Sequence, residues 1–312
     1  MNMKHYLYLA LILSATICGF AQTGGPISEW KATLKIIDEN SNPVAGANAG
    51  IGFFTNSIPT SIDGITDTNG VFIAAYASEP SIIGYLLSFR IEKQGYYFTW
   101  AQRDLGQGYD PAKWIFTQTL LLKKIGKPIA MYAKRVVKGP PVFNQPVGYD
   151  LMVGDWVGPY GKGVTTDIIF FGKLDQKSRN DFDYKLTVSF PEPDDGIQEF
   201  VVPDAEKGSG LRSPHETPTN GYLTQVVKTM SHHPGQGAKD DMNNPNRNYF
   251  FRVRTVKNDE GNIVSAYYGK IYGDFMQFSY YLNPTPNDRN IEFDPKQNLI
   301  SSLDALEQVS AP

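Results

Sequence analysis

Phe182, Tyr184, Leu186, Val188 and Phe190 alternate without a break with Asp183, Lys185, Thr187 and Ser189. A side-chain period of two puts the apolar set on one face and the polar set on the other, so this stretch reads as a half-buried β-strand. The same rhythm returns through Ala32, Leu34 and Ile36, and through Tyr85, Leu87, Phe89 and Ile91. Residues 249–255, 263–272 and 275–282 are separated by Asn258-Asp259-Glu260-Gly261-Asn262 and by Gly273-Asp274, which read as the turns of a three-stranded meander. Further strands are expected at 147–153, 167–172 and 197–202. The 18 Tyr and 18 Phe favour strands, where an aromatic ring packs on a half-buried surface. The expectation is an all-β chain of two β-sandwich domains, the second a larger antiparallel sandwich or open barrel. One segment departs from it. Leu299, Leu303 and Leu306 lie at helical spacing within 298–309, which predicts a short C-terminal helix that must pack on the sandwich to be stable.

The amino terminus predicts export. Lys4 and His5 precede an apolar run from Tyr6 to Ile17, and Gly19-Phe20-Ala21 offers the small residues of a cleavage site, so residues 1–21 read as a signal peptide and the mature chain begins at Gln22. The run is shorter than the roughly 20 residues that cross a bilayer, and no other stretch approaches that length, so no transmembrane segment is expected after cleavage. Cys18 supports a rival reading as a lipid-modified residue, but Ile17 stands where such signals carry a small side chain. As the only cysteine, Cys18 rules out a disulfide framework and any multi-thiolate zinc site. A formal net charge of −3 argues against a nucleic-acid partner.

Boundaries follow from composition. A first domain is expected over 27–124, a linker at 125–128 marked by Gly126 and Pro128, and a second all-β domain over 129–312. Within the second, 204–248 is irregular and broken by prolines, with a strand or helix expected only at 222–230. In the first, Asp38, then Pro43-Val44-Ala45-Gly46-Ala47, then Thr66-Asp67-Thr68-Asn69-Gly70-Val71-Phe72, then Lys93-Gln94-Gly95-Tyr96 together resemble the carboxypeptidase regulatory-like domain. The resemblance implies a prealbumin-like or Ig-like sandwich of accessory, non-catalytic type. It departs from the family's pattern at 48–65 and at Tyr96-Tyr97-Phe98-Thr99-Trp100. The zinc carboxypeptidase itself is excluded, because none of His215, His232 and His233 has a Glu three positions on.

Four sets of residues could carry chemistry. His232, His233, Asp240 and Asp241 pair imidazole with carboxylate, a workable set for a divalent metal or acid–base work, against the plainer reading of exposed loop histidines. Asp274, Glu292 and Asp294 could cleave a glycosidic bond if two of them share a cleft. The run Asn287 to Asp294 also offers oxygens to calcium, as do Asp63, Asp67 and Asn69, although turn hydrogen bonding accounts for both; no cofactor is otherwise expected. The loop Asp155-Trp156-Val157-Gly158-Pro159-Tyr160-Gly161-Lys162-Gly163 is a candidate binding loop, with Trp156, Tyr160, Asp155 and Lys162 as its contact residues. Trp100, Trp114, Tyr267, Tyr268, Tyr280 and Tyr281 read as sugar-stacking platforms or as core. In each tandem Tyr pair one ring should be buried and the other exposed, unless a second layer covers the sheet. Arg252 and Arg254 read as a solvated strand face.

Two functions remain open on this reading. One is an exported, non-catalytic binding or structural protein of the cell envelope or exterior, periplasmic or extracellular, with a glycan or a cell-surface protein as partner. The other is a secreted polysaccharide hydrolase using carboxylates of the second domain.

Overall fold

The computed structural model describes residues 28–54, 59–78, 84–106, 115–242, 244 and 247–312. The expected signal segment, Cys18 and Trp114 lie outside them. Every regular element among the described residues is a strand, and no helix is long and apolar enough to cross a membrane.

The first sandwich holds β1 (Ser28–Ile37), β2 (Asn48–Phe54), β3 (Thr60–Ile65), β4 (Val71–Ser78), β5 (Tyr85–Glu92), β6 (Thr99–Gly106) and β7 (Ile115–Leu121). One sheet runs β4-β1-β7, with β1 and β7 parallel, and the other runs β3-β2-β5-β6. Ala32, Leu34 and Ile36 of β1 join Leu87, Phe89 and Ile91 of β5 in one core, as their alternation requires. The turns are made by short acidic side chains. Asp67 Oδ1 accepts the amides of Asn69 (2.9 Å) and Val71 (2.8 Å), and Gly70 closes the turn at φ +70°. A Cβ on Gly70 would stand 2.4 Å from the Ile36 carbonyl oxygen, so glycine is required there on two counts.

The second sandwich is larger. Its first sheet runs β10 (Asp155–Trp156), β9 (Pro146–Asp150), β11 (Ile168–Ser178), β12 (Asp181–Ser189), β14 (Gln225–His232) and β15 (Lys239–Asp240). Its second runs β13 (Gly196–Val201), β16 (Arg247–Lys257), β17 (Ile263–Tyr272), β18 (Phe278–Leu282), β8 (Ile129–Val136) and β19 (Phe293–Asn298). The meander appears as β16-β17-β18, and 222–230 resolves into β14. Phe170, Leu186, Phe251, Ile271, Phe278 and Tyr280 meet between the sheets; truncating one of the larger aliphatic or aromatic side chains there to Ala removes about 2–5 kcal/mol.

Tandem tyrosines show a second layer on this sheet. Tyr280 points into the inter-sheet core and Tyr281 to the opposite face, yet both are buried. The opposite face is covered by a smaller cluster that includes Met131, Phe250, Tyr272, Ile291 and Phe293, with Val309 packed against it. The Tyr281 hydroxyl donates to the Ala311 carbonyl at 2.9 Å.

The expected C-terminal helix is not formed. Residues 299–312 run as bends and one turn, with Leu299 and Leu306 exposed. The reason lies in the outer edge of β8, whose backbone groups need partners. The Leu299 amide donates to Met131 O (2.9 Å), the Asn298 side chain bonds both backbone groups of Ala133, and Glu307 O accepts the Arg135 amide (2.8 Å). A helix would keep those groups for itself and leave the edge unsatisfied.

Candidate functional site

The candidate binding loop 155–163 is a closed turn whose acid holds its own backbone. Asp155 accepts the amides of Trp156 and Lys162, both at 2.8 Å. The half-buried Trp156 ring packs edge-on to Tyr149 (5.0 Å) and Phe170 (5.3 Å) in the core. Tyr160 is half-buried and accepts a hydrogen bond from Gln145 (2.8 Å), while Lys162 is exposed. Among the other aromatics, Trp100 is exposed, Tyr268 is buried and Tyr267 is half-buried.

The histidine set is not brought to one point. His233 Nδ1 lies 2.9 Å from Asp181 and its Nε2 3.3 Å from Asp183, on the β11–β12 hairpin. The Asp181 bond, with the charges of Asp181 and Asp183, raises the His233 pKa, and the same bond lowers that of Asp181. Asp241 instead pairs with Arg247 (2.8 Å), and Asp240 accepts the Met242 amide (2.8 Å). Among the described residues no group of three His, Cys, Asp or Glu side chains could hold a metal ion.

Asp274, Glu292 and Asp294 share no partner. Asp274 accepts the Asn244 amide (2.6 Å) and faces Arg247 (3.7 Å); burial raises its pKa against those contacts. Asp294 is tied to Gln297 and the Lys296 amide, which lower its pKa. Glu292 stands at the junction of the two sandwiches, 1% exposed. It accepts from the Tyr97 hydroxyl (2.6 Å) and from the amides of Gly126 and Lys127 (2.7 Å each), with His215 Nδ1 at 3.3 Å. Burial alone would raise its pKa, but these donors and the His215 charge hold it below the ordinary 4.5. Burial, with the same Glu292 contact, pushes the Tyr97 hydroxyl well up.

The junction continues around Glu292. Lys123, nearly buried, pairs with Glu206 (2.6 Å) and donates to the Ser213 carbonyl (2.9 Å). Residues 203–217 form a strap that pairs with the first sandwich: the Trp100 amide donates to Gly208 O (2.9 Å), Gly210 to Phe98 O (2.8 Å) and Leu121 to Ala205 O (2.9 Å). His215 Nε2 reaches Glu39 at 3.2 Å. Part of the irregular region is thus a clasp between the sandwiches, and 123–128 is pinned by side chains far away in sequence.

Arg252 and Arg254 do not form a solvated face. Arg252 donates to the Asp194 carbonyl and lies 4.9 Å from the Tyr222 ring. Arg254 sits in a β-bulge at φ +53°, a conformation costing a branched or long side chain about 1 kcal/mol or more. There its guanidinium reaches the buried Asp167 from two nitrogens (2.6 and 3.0 Å) and Asp150 at 3.5 Å, linking the two sheets. Alternation could not disclose this, because a bulge shifts the strand's faces.

One set of residues escaped the sequence reading altogether. An open groove of about 950 Å³ lies where the end of β8, the strap and the β17–β18 turn meet. Arg135, Lys138 and Arg212 line it, together with Met242, Tyr272, Met276, Gln277, Phe278 and Asp274. The three cations are spread over 77 positions of chain with no common motif, so only the fold assembles them.

No protein-family model matches the chain, and no curated protein matches it in sequence. Among solved structures, a streptococcal ancillary pilin is 12% identical with a TM-score of 0.23, over 87% of this chain and 62% of its own. A Bacteroides fragilis protein of unknown function is 9% identical with a TM-score of 0.20, over 83% of this chain and 99% of its own. The chain therefore spans less than two thirds of the pilin's length. Likenesses of this size establish neither a shared fold nor a shared role.

Proposed function

We propose that this is an exported, non-catalytic binding or structural protein of the cell envelope or exterior, with a glycan or a surface protein as its partner. The observation that carries the reading is the use made of the carboxylates. Asp274, Glu292 and Asp294 are each engaged with separate donors, whereas glycosidic hydrolysis needs two carboxyl groups flanking one bond. The signal-like amino terminus and the resemblance of 27–124 to an accessory sandwich support the same reading. A clasped junction suits a part that holds a binding face at a fixed distance and angle.

The hydrolase reading has one observation in its favour. Asp274 lines the groove with a raised pKa, which a general acid needs. A glycan array with reducing-sugar release measured in parallel separates the two. Binding without release is expected; release that disappears in Asp274→Asn would establish the enzyme instead. Amino-terminal sequencing of exported protein is expected to begin at Gln22, and a chain beginning at a lipid-modified Cys18 would replace the cleaved-signal reading with a membrane-anchored one.

A further inference from the structure

The groove differs from the rest of the protein in the state of its charges. Arg135 and Lys138 are exposed and Arg212 is half-buried, and none has a carboxylate within ion-pair distance among the described residues. The only carboxylate of the lining, Asp274, is engaged by the Asn244 amide and Arg247. Arg212 is held with its guanidinium 4.3 Å from the Tyr272 ring centre, which fixes a planar donor array at low entropy cost. Behind the same ring lies Lys270, fully buried, 5.0 Å from Tyr272 and 4.9 Å from Tyr281, bonded to Ser213 Oγ (3.1 Å) and to no carboxylate among the described residues. Burial pushes the Lys270 pKa well down and disfavours its charged form, so the positive charge of the groove rests on Arg135, Lys138 and Arg212, which in a net-negative chain focus an attractive potential for anions.

The form of the groove narrows the anion. Its volume lies in the roughly 300–1,000 Å³ range of small-ligand sites. The half-buried Met276 gives apolar surface for the C–H face of a sugar, and Gln277 and Ser279 offer hydrogen bonds to hydroxyls. An acidic peptide is less well served. Peptides gain much of their affinity by extending an open sheet edge, but β18 is paired on one side with β17 and on the other with β8 (Phe278 opposite Val136, Ser279 opposite Arg135). Recognition has to come from side chains.

We propose that the groove between the end of β8 and the β17–β18 turn binds an anionic oligosaccharide, uronate or sulfated, through Arg135, Lys138 and Arg212. This rests on the reading of the chain as a binding protein and names the class of its ligand. The test is calorimetric titration of the full exported protein with hexagalacturonate, with its neutral methyl ester, with a chondroitin sulfate hexasaccharide and with hexaglutamate. At least one of the two acidic sugars is expected to bind, more weakly as salt rises, and Arg135→Ala with Lys138→Ala is expected to weaken it about tenfold or more. Lys173→Ala with Lys185→Ala, exposed cations on the other sheet, should leave it unchanged. Equal binding of hexaglutamate, equal binding of the ester, or indifference to the Arg135/Lys138 pair would overturn the proposal. If neutral glycans bind on the array while both acidic sugars fail here, the ligand class falls and the glycan-binding reading stands; if all sugars fail in both, the glycan-binding reading falls with it.

Discussion

The junction around Glu292 and the groove around Arg135 are both built in part from the strap 203–217 and use charged side chains in opposite ways. At the junction the buried Glu292 and Lys123 are both partnered: Glu292 takes three donors and faces His215, and Lys123 takes Glu206 and a carbonyl. In the groove none of the three cations has a carboxylate partner among the described residues. A buried ionisable group has to find a partner or favour its neutral form, as burial makes Lys270 do, whereas an exposed charge can be left for a ligand. Burial and partnership, more than residue type, separate a structural charge from an available one.

That contrast can be broken in graded steps. The largest effect is expected from Glu292→Ala, which strands the Tyr97 hydroxyl and two amides without their acceptor and removes the carboxylate facing His215. A loss of about 3–5 kcal/mol is expected, read as an early transition in a urea or thermal melt in which the two sandwiches separate. Gly126→Ala attacks the same point sterically, since its Cβ would stand 2.7 Å from Glu292 Oε2. It should cost about 1–3 kcal/mol, and an unchanged melt would show that the junction yields more easily than its geometry implies.

Acid offers a gentler probe. The folded-state pKa of Glu292 is below its ordinary 4.5, so its ionised form is favoured by folding. The stabilisation is complete above the unfolded value and disappears as pH falls through the folded one. The junction transition should therefore move to lower temperature on acidification below about 4.5, and Glu292→Gln should flatten that dependence. At the groove, Arg135→Ala and Lys138→Ala remove no internal partner and should change stability by less than about 0.5 kcal/mol while abolishing most anion binding. Leu306→Lys should be equally silent in a melt, because its side chain is 72% exposed; a packed helical stripe would not tolerate it.

Much of the strand framework was legible because period-two alternation is a local property. Phe182 to Phe190, Tyr85 to Ile91 and the β16-β17-β18 meander could be read without knowing their partners. The Asp67 turn was equally plain, since its acceptor and donors lie within four residues. Leu299, Leu303 and Leu306 misled for the complementary reason. Their spacing is helical, but the unsatisfied edge of β8 lies about 170 residues away and claims the backbone first. The Arg254 bulge and the burial of both Tyr280 and Tyr281 were hidden in the same way, behind partners that no window of sequence contains.

Alternation and turn chemistry are enough to set the class of the protein: an all-β chain with a core in each sandwich and turns written by Asp, Asn and Gly. Tertiary structure alone decided what its charges are for. Glu292 meets donors from residues 97, 126 and 127, and the groove joins cations at 135, 138 and 212. The physical reason is range. Side-chain periodicity acts over a few residues along a strand, whereas the pairing or exposure of a charge depends on surfaces that meet only after the sheets have stacked.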